Sequence, residues 1–90
     1  MTYLVSYDLN TPGKNYDELY EAIKGASNGV WCKPLSSVYI IQSSSTPKEI
    51  YNKISPCLDE NDCVLVIEVT KNSYWRLSKK VSDYLLDMLQ

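Results

Sequence analysis

The sequence predicts an α+β fold, and three observations lead there. Four apolar runs rich in β-branched and aromatic residues alternate with three stretches of helical spacing, in the order β-α-β-β-α-β-α. Pro34 interrupts the second run, and proline cannot donate to a ladder, so that strand belongs at an edge. The first and third runs, Tyr3-Leu4-Val5-Ser6-Tyr7 and Val38-Tyr39-Ile40-Ile41, are apolar almost throughout and belong in the middle. Two right-handed βαβ units satisfy all three when they interleave into an antiparallel sheet of strand order 4-1-3-2. The expected architecture is a ferredoxin-like plait (βαββαβ) with an extra C-terminal helix, one domain over residues 1–90.

Each element has a local warrant. The first strand starts at Thr2, ends on Asp8 and breaks into Leu9-Asn10-Thr11-Pro12-Gly13-Lys14, a run of turn formers. Asn15 then reads as a cap and Glu18 as its capping-box partner, ahead of a helix with the apolar stripe Tyr16, Leu19, Tyr20 and Ile23. Gly25 and Ser27-Asn28-Gly29 end that helix. Val30 to Leu35 is the second strand, joined to the third through Ser36-Ser37 as a hairpin. Thr46-Pro47-Lys48-Glu49 is the clearest local signal. Thr46 caps, Pro47 takes the first helical position and Glu49 completes the box. Ile50, Ile54 and Leu58 line the buried face with Tyr51 beside them, and Pro56 disrupts the last turn. Asp59-Glu60-Asn61-Asp62 reads as a solvated turn, since its spacing does not fit an EF-hand. Cys63 to Thr70 is the fourth strand. Leu77, Val81, Tyr84, Leu85, Met88 and Leu89 then mark an amphipathic helix with Lys79, Lys80, Ser82, Asp83 and Asp87 outward. Tyr74-Trp75-Arg76 reads either as a loop or as its first turn.

Composition narrows the function classes. The net charge is -2, there is one arginine, Arg76, and Lys79-Lys80 is the only basic pair. Tight nonspecific binding of long nucleic acid needs a basic stripe, and none is present. A compact anion needs far fewer cations. Eight Tyr, two Trp and no Phe mean that every ring carries a polar handle, which suits half-wet surfaces. Cys32, Cys57 and Cys63 form no CxxC pair, so a disulfide framework or zinc site is not expected. No apolar run reaches the roughly 20 residues of a membrane span, and no signal-peptide pattern opens the sequence. The expectation is a cytoplasmic protein with no membrane partner.

Strand alternation places Tyr3, Val5 and Tyr7 on one face and Leu4, Ser6 and Asp8 on the other. Asp8, at the end of a central strand, is a candidate ligand or base. Its alternative role is to start the loop by accepting backbone N–H bonds. The Thr11-Pro12-Gly13-Lys14 loop before a helix N-terminus offers backbone N–H groups and one lysine, a candidate phosphate cradle. The fourth strand is apolar on both faces, with Val64 and Val66 on one and Cys63, Leu65 and Ile67 on the other. The C-terminal helix can cover part of that second face, and a homodimer is expected to cover the remainder.

Tyr3-Leu4-Val5-Ser6-Tyr7-Asp8-Leu9, the βαββαβ order, and the Val38-Tyr39-Ile40-Ile41 strand after the Trp31 strand resemble a known superfamily. It comprises the CRISPR-associated spacer-acquisition protein that is second in the Cas series, the VapD-type ribonucleases and the small SinR-like proteins. The resemblance covers about the first 70 residues. It implies a homodimer packed through its sheets. In the nuclease members the strand-one acid faces its mate across the dimer, with a divalent metal between them. Asp8 is the one residue here that matches that acid. The first helix, with Asp17, Glu18 and Glu21, is acidic where nuclease members carry basic residues, and the chain has no histidine.

Two activities follow as expectations, with a third as their alternative. The first is a metal-dependent nuclease with Asp8 as catalytic residue and ligand of Mg2+ or Mn2+. The second is a noncatalytic binder that sequesters a small signalling nucleotide at the dimer interface, as in phage or mobile-element counter-defence. Its ligand-binding candidates are Tyr7, Asn10, Thr11, Gly13, Lys14, Trp31 and Tyr39. The third is a ligand-free adaptor dimer. The expected partners are the chain itself, in a homodimer or higher oligomer, and a small nucleotide or short nucleic acid. Trp31 is expected to serve an interface or ligand more than the core.

Overall fold

The computed structural model describes residues 1–90. Strand β1 (Thr2–Asp8) pairs along its whole length with β4 (Cys63–Val69) and over Thr2 to Ser6 with β3 (Val38–Gln42). β2 (Trp31–Leu35) completes a four-stranded sheet of order β2-β3-β1-β4, antiparallel at every step. Helices α1 (Asp17–Ala26), α2 (Pro47–Ile54) and α3 (Lys79–Met88) complete the α+β fold. This strand order is consistent with the expected plait. No helix is long and apolar enough to cross a membrane.

The sheet sorts its residues by parity. Val5 lies opposite both Tyr39 and Val66, so these side chains share a face with Tyr3, Tyr7 and Ile41. α1 and α2 cover that face. Val5, Leu19, Ile23, Ile41, Ile50 and Ile54 keep no exposed surface there. Truncating one of these, as in Ile50→Ala, costs about 2–5 kcal/mol.

α2 forms as its local sequence dictates. The Glu49 N–H donates to Thr46 Oγ1 at 3.2 Å, and the Thr46 N–H donates to Glu49 Oε1 at 2.8 Å. The helix stops at Ile54, and Pro56 sits in the short 3-10 turn Ser55–Cys57 that follows. Leu58 therefore lies outside the helix, though it still packs on the core. α1 departs from expectation. Asn15 Oδ1 does accept from the Asp17 N–H at 2.9 Å, but the helix begins only at Asp17. Glu18 is then the second helical residue rather than the third, and the capping box does not form.

α3 starts at Lys79, capped by Ser78, so Tyr74-Trp75-Arg76 belongs to a connection and not to a helical turn. Ser82 faces inward rather than outward, because the Trp75 indole N–H donates to its Oγ at 3.0 Å. α3 lies over the β2–β3 half of the second sheet face, where Ile40, Leu85 and Met88 are buried with Cys32, Val38, Trp75 and Leu77 around them. Gln42 Nε2 donates to the Met88 carbonyl at 2.7 Å and secures the helix end. The β1–β4 half stays open, with Leu65 54% and Ile67 47% exposed.

Candidate functional site

The predicted site residues separate into three places on two sides of the sheet. The first is Asp8. Antiparallel pairing runs unbroken to the end of β1 and sets Asp8 opposite Cys63, on the face that α1 and α2 do not cover. Asp8 is exposed, beside a shallow depression of about 200 Å3 shared with Ser6, Cys63 and Leu65. Its carboxylate makes no hydrogen bond or ion pair; only its backbone carbonyl is engaged, accepting from Asn10 Nδ2 at 3.4 Å. The loop-starting role expected as the alternative for this side chain is therefore not what the structure contains. A carboxylate so placed can ligate a hard cation or accept a hydrogen bond. No group of three or more His, Cys, Asp or Glu side chains able to hold a metal ion gathers in the chain.

The second place is the loop from Leu9 to Lys14. Gly13 adopts a positive φ of 79°, the backbone that closes the Thr11–Lys14 turn, whose Lys14 N–H donates to the Thr11 carbonyl at 3.3 Å. The Thr11 N–H and Lys14, which suggested a phosphate cradle, are engaged within the chain, as is neighbouring Asn10. The Asn10 N–H donates to Asp62 Oδ1 at 2.8 Å, and Asn10 Nδ2 to the Asn61 carbonyl at 2.9 Å. Lys14 Nζ donates to the Cys57 carbonyl at 3.1 Å and pairs with Asp59 Oδ1 at 3.0 Å. The Tyr16 hydroxyl accepts from the Thr11 N–H at 3.3 Å and donates to Asp62 at 2.9 Å.

The Asp59-Glu60-Asn61-Asp62 turn is therefore a clasp rather than merely solvated. The Thr11 side chain and Lys14 hold Asp59 below the usual carboxylate range, and Asp59 raises Lys14 in return. At Asp62 desolvation opposes the charge, but the Asn10 and Asp59 amides, Tyr16 and Lys14 outweigh it and lower its pKa.

The third place is aromatic. Tyr7, Tyr20 and Tyr39 form a triangle with ring centroids 6.0, 6.3 and 6.2 Å apart, and Trp31 lies 5.8 Å from Tyr39. Lys33 caps Tyr20 and Tyr39 at 5.2 and 5.5 Å, and Lys24 lies 4.7 Å over Trp31. This cluster sits on the α1 side of the sheet. Tyr7 and Tyr39 are buried, and Trp31, half-buried, packs against the edge of the main core. Burial, then Tyr20 and Tyr39, pushes the Tyr7 hydroxyl up to about 12.

Tyr7 and Asp8 adjoin in sequence yet face opposite sides, so the aromatic cluster and the carboxylate cannot act on one small ligand together. Sequence reading missed Tyr16, Asp59 and Asp62 as interacting residues. Their partners lie more than 40 positions away for the two acids, as in the Tyr16–Asp62 separation of 46, and no local signal encodes that. Alternation did carry the signal for the open strip of Cys63, Leu65 and Ile67 beside Asp8.

No family model and no curated protein matches this chain.

Proposed function

We propose that the chain is a ferredoxin-like plait that works as a homodimer through its open sheet face, and that it cleaves nucleic acid at Asp8 with a divalent metal. The observation that supports this is the state of Asp8: an exposed carboxylate with no partner, on the same uncovered face as Leu65 and Ile67. Apolar strips of this kind suit a partner surface. Packing two copies through it brings Asp8 toward the partner's Asp8. Magnesium or manganese fits such a pair, since these hard ions take one or two carboxylates and keep several waters. Once bound, the ion supplies Lewis-acid activation of water for phosphodiester attack. Leu65 and Ile67 hold the copies together, and the Asp8 carboxylates position the ion. The sequestration reading has less support, because Tyr7, Trp31 and Tyr39 pack within the chain and the Lys14 loop is engaged by Asp59 and Asp62.

The test is cleavage of short RNA and DNA with magnesium or manganese, by the parent chain and by Asp8→Asn. The parent is expected to cleave, chelation to stop it, and Asp8→Asn to abolish it while sedimentation at micromolar concentration still shows a dimer. Equal cleavage by the two, or inertness of both with every metal, overturns the nuclease reading. Sedimentation as a monomer overturns the dimer. Release of a bound nucleotide on denaturation, read by mass spectrometry, would favour sequestration instead.

A further inference from the structure

We propose that β4 pairs antiparallel with the β4 of a second copy, about a two-fold axis at Val66, joining two four-stranded sheets edge to edge. This contact uses the sheet edge, goes beyond the facial packing proposed above and does not depend on it.

The two edges of the sheet differ in how they are guarded. β2 carries Pro34, an exposed Lys33 and a register irregularity between Cys32 and Leu35. Proline, lysine and bulges are the devices that keep an edge strand from recruiting another strand. β4 has none of them. Its seven residues, CVLVIEV, pair with β1 without a break, and Glu68 is its one charge. No residue of β4 makes a backbone hydrogen bond beyond the ladder, so its outer row of N–H and C=O groups is unpaired.

The strand is also complementary to itself. With the axis at Val66, Leu65 lies opposite the partner's Ile67, and Ile67 opposite the partner's Leu65. The four exposed side chains then form one cross-strand apolar cluster. Cys63 falls opposite the partner's Val69, and Val64 opposite the partner's Glu68. The two Glu68 side chains stay apart, whereas an axis at Glu68 would set them face to face. The free ladder edge, the apolar match and the separation of the two Glu68 charges thus select a second copy as the occupant, in one register.

Val69→Cys tests that register. Within one chain Cys63 and position 69 lie six residues apart along a strand, about 20 Å, and cannot bond. Between paired copies each introduced thiol faces the partner's Cys63 at the Cα separation of an antiparallel pair, about 4.5–5.5 Å, which a disulfide spans. Mild oxidation is expected to give a covalent dimer whose peptides join Cys63 to the introduced thiol. A covalent dimer joined Cys63 to Cys63, or none at all, overturns the proposal. Hydrogen exchange on the unsubstituted chain is the second measurement. Outward-facing β4 amides should be protected at high protein concentration and lose at least tenfold of that protection on dilution through dissociation. Unprotected exchange at every concentration overturns the pairing as well. Neither result requires cleavage or a metal, so a cross-link and exchange protection in a chain that cleaves nothing would sink the nuclease reading alone, and a cleaving chain without them would sink this one alone.

Discussion

Asp8 and Asp62 stand at the same end of the sheet and are used in opposite ways. Asp8 ends β1 opposite Cys63, and Asp62 immediately precedes Cys63. Asp62 accepts from the Asn10 N–H at 2.8 Å, the Tyr16 hydroxyl at 2.9 Å and the Asp59 N–H at 2.8 Å. The Asp8 carboxylate accepts nothing from the chain. The two side chains are chemically identical, so their surroundings make the difference. Asp62 is turned into the β1–α1 loop and ties it to the α2–β4 loop, while Asp8 points from the open face. A carboxylate that already accepts three bonds holds structure together. One that accepts none remains available to a ligand.

Of the two acids, the engaged one has the larger expected effect on stability when removed. Asp62→Ala leaves the Asn10 and Asp59 amides and the Tyr16 hydroxyl without their acceptor, and lets the loop holding Lys14 detach. The thermal midpoint should fall by several degrees, and amide exchange should quicken from Asn10 to Lys14. Asp62→Asn keeps one acceptor oxygen and should fall by less. An unchanged melting curve for Asp62→Ala would show that water replaces the clasp at no cost, and the contrast with Asp8 would collapse.

Acid titration should produce a smaller, graded effect with a fixed sign. Asp59 and Asp62 both have native pKa values below their ordinary ones. Each therefore contributes stability that is fully present above the unfolded carboxylate value of about 3.9, and that is lost as pH falls through the native value. Glu49, lowered by its bonds to Thr46, acts in the same direction. The thermal midpoint should be flat from neutrality to about pH 5 and drop below about pH 4. Asp62→Asn should flatten part of that drop. An undiminished acid slope in Asp62→Asn would move the titration to other groups.

What the sequence made legible was local or periodic. The α2 box needs only Thr46, Pro47 and Glu49, and it formed as read. Alternation placed Tyr7 and Asp8 on opposite faces, and Pro34 placed β2 at an edge. Alternation does not say which face a helix will cover, so Tyr7, Tyr39 and Trp31 read as stacking surfaces, whereas Tyr7 and Tyr39 are buried under the helices and Trp31 is half-buried against the core. The α1 box failed because the helix begins two residues after Asn15, next to Tyr16, whose hydroxyl bonds across to Asp62. Such contacts span some 46 positions and depend on tertiary placement that neither period nor composition carries.

The smallest expected effect is that of Asp8→Asn on folding, and its smallness gives it force. The substitution keeps the side chain's size and removes its charge. Because the carboxylate touches no partner, the stability of the folded chain should change by no more than about 0.5 kcal/mol, the usual range for a surface site. Urea unfolding at neutral pH measures this directly, with the slope against denaturant as a check that the same surface is exposed. A gain in stability would also be informative. Two copies packed with Asp8 toward the partner's Asp8 bring like charges together, and without metal that repulsion opposes the dimer. Asp8→Asn should then tighten dimerisation in the presence of a chelator, while magnesium should stabilise the parent chain and not the variant. A loss well beyond 0.5 kcal/mol would mean that Asp8 holds the fold as Asp62 does, and the distinction between the two acids would fail.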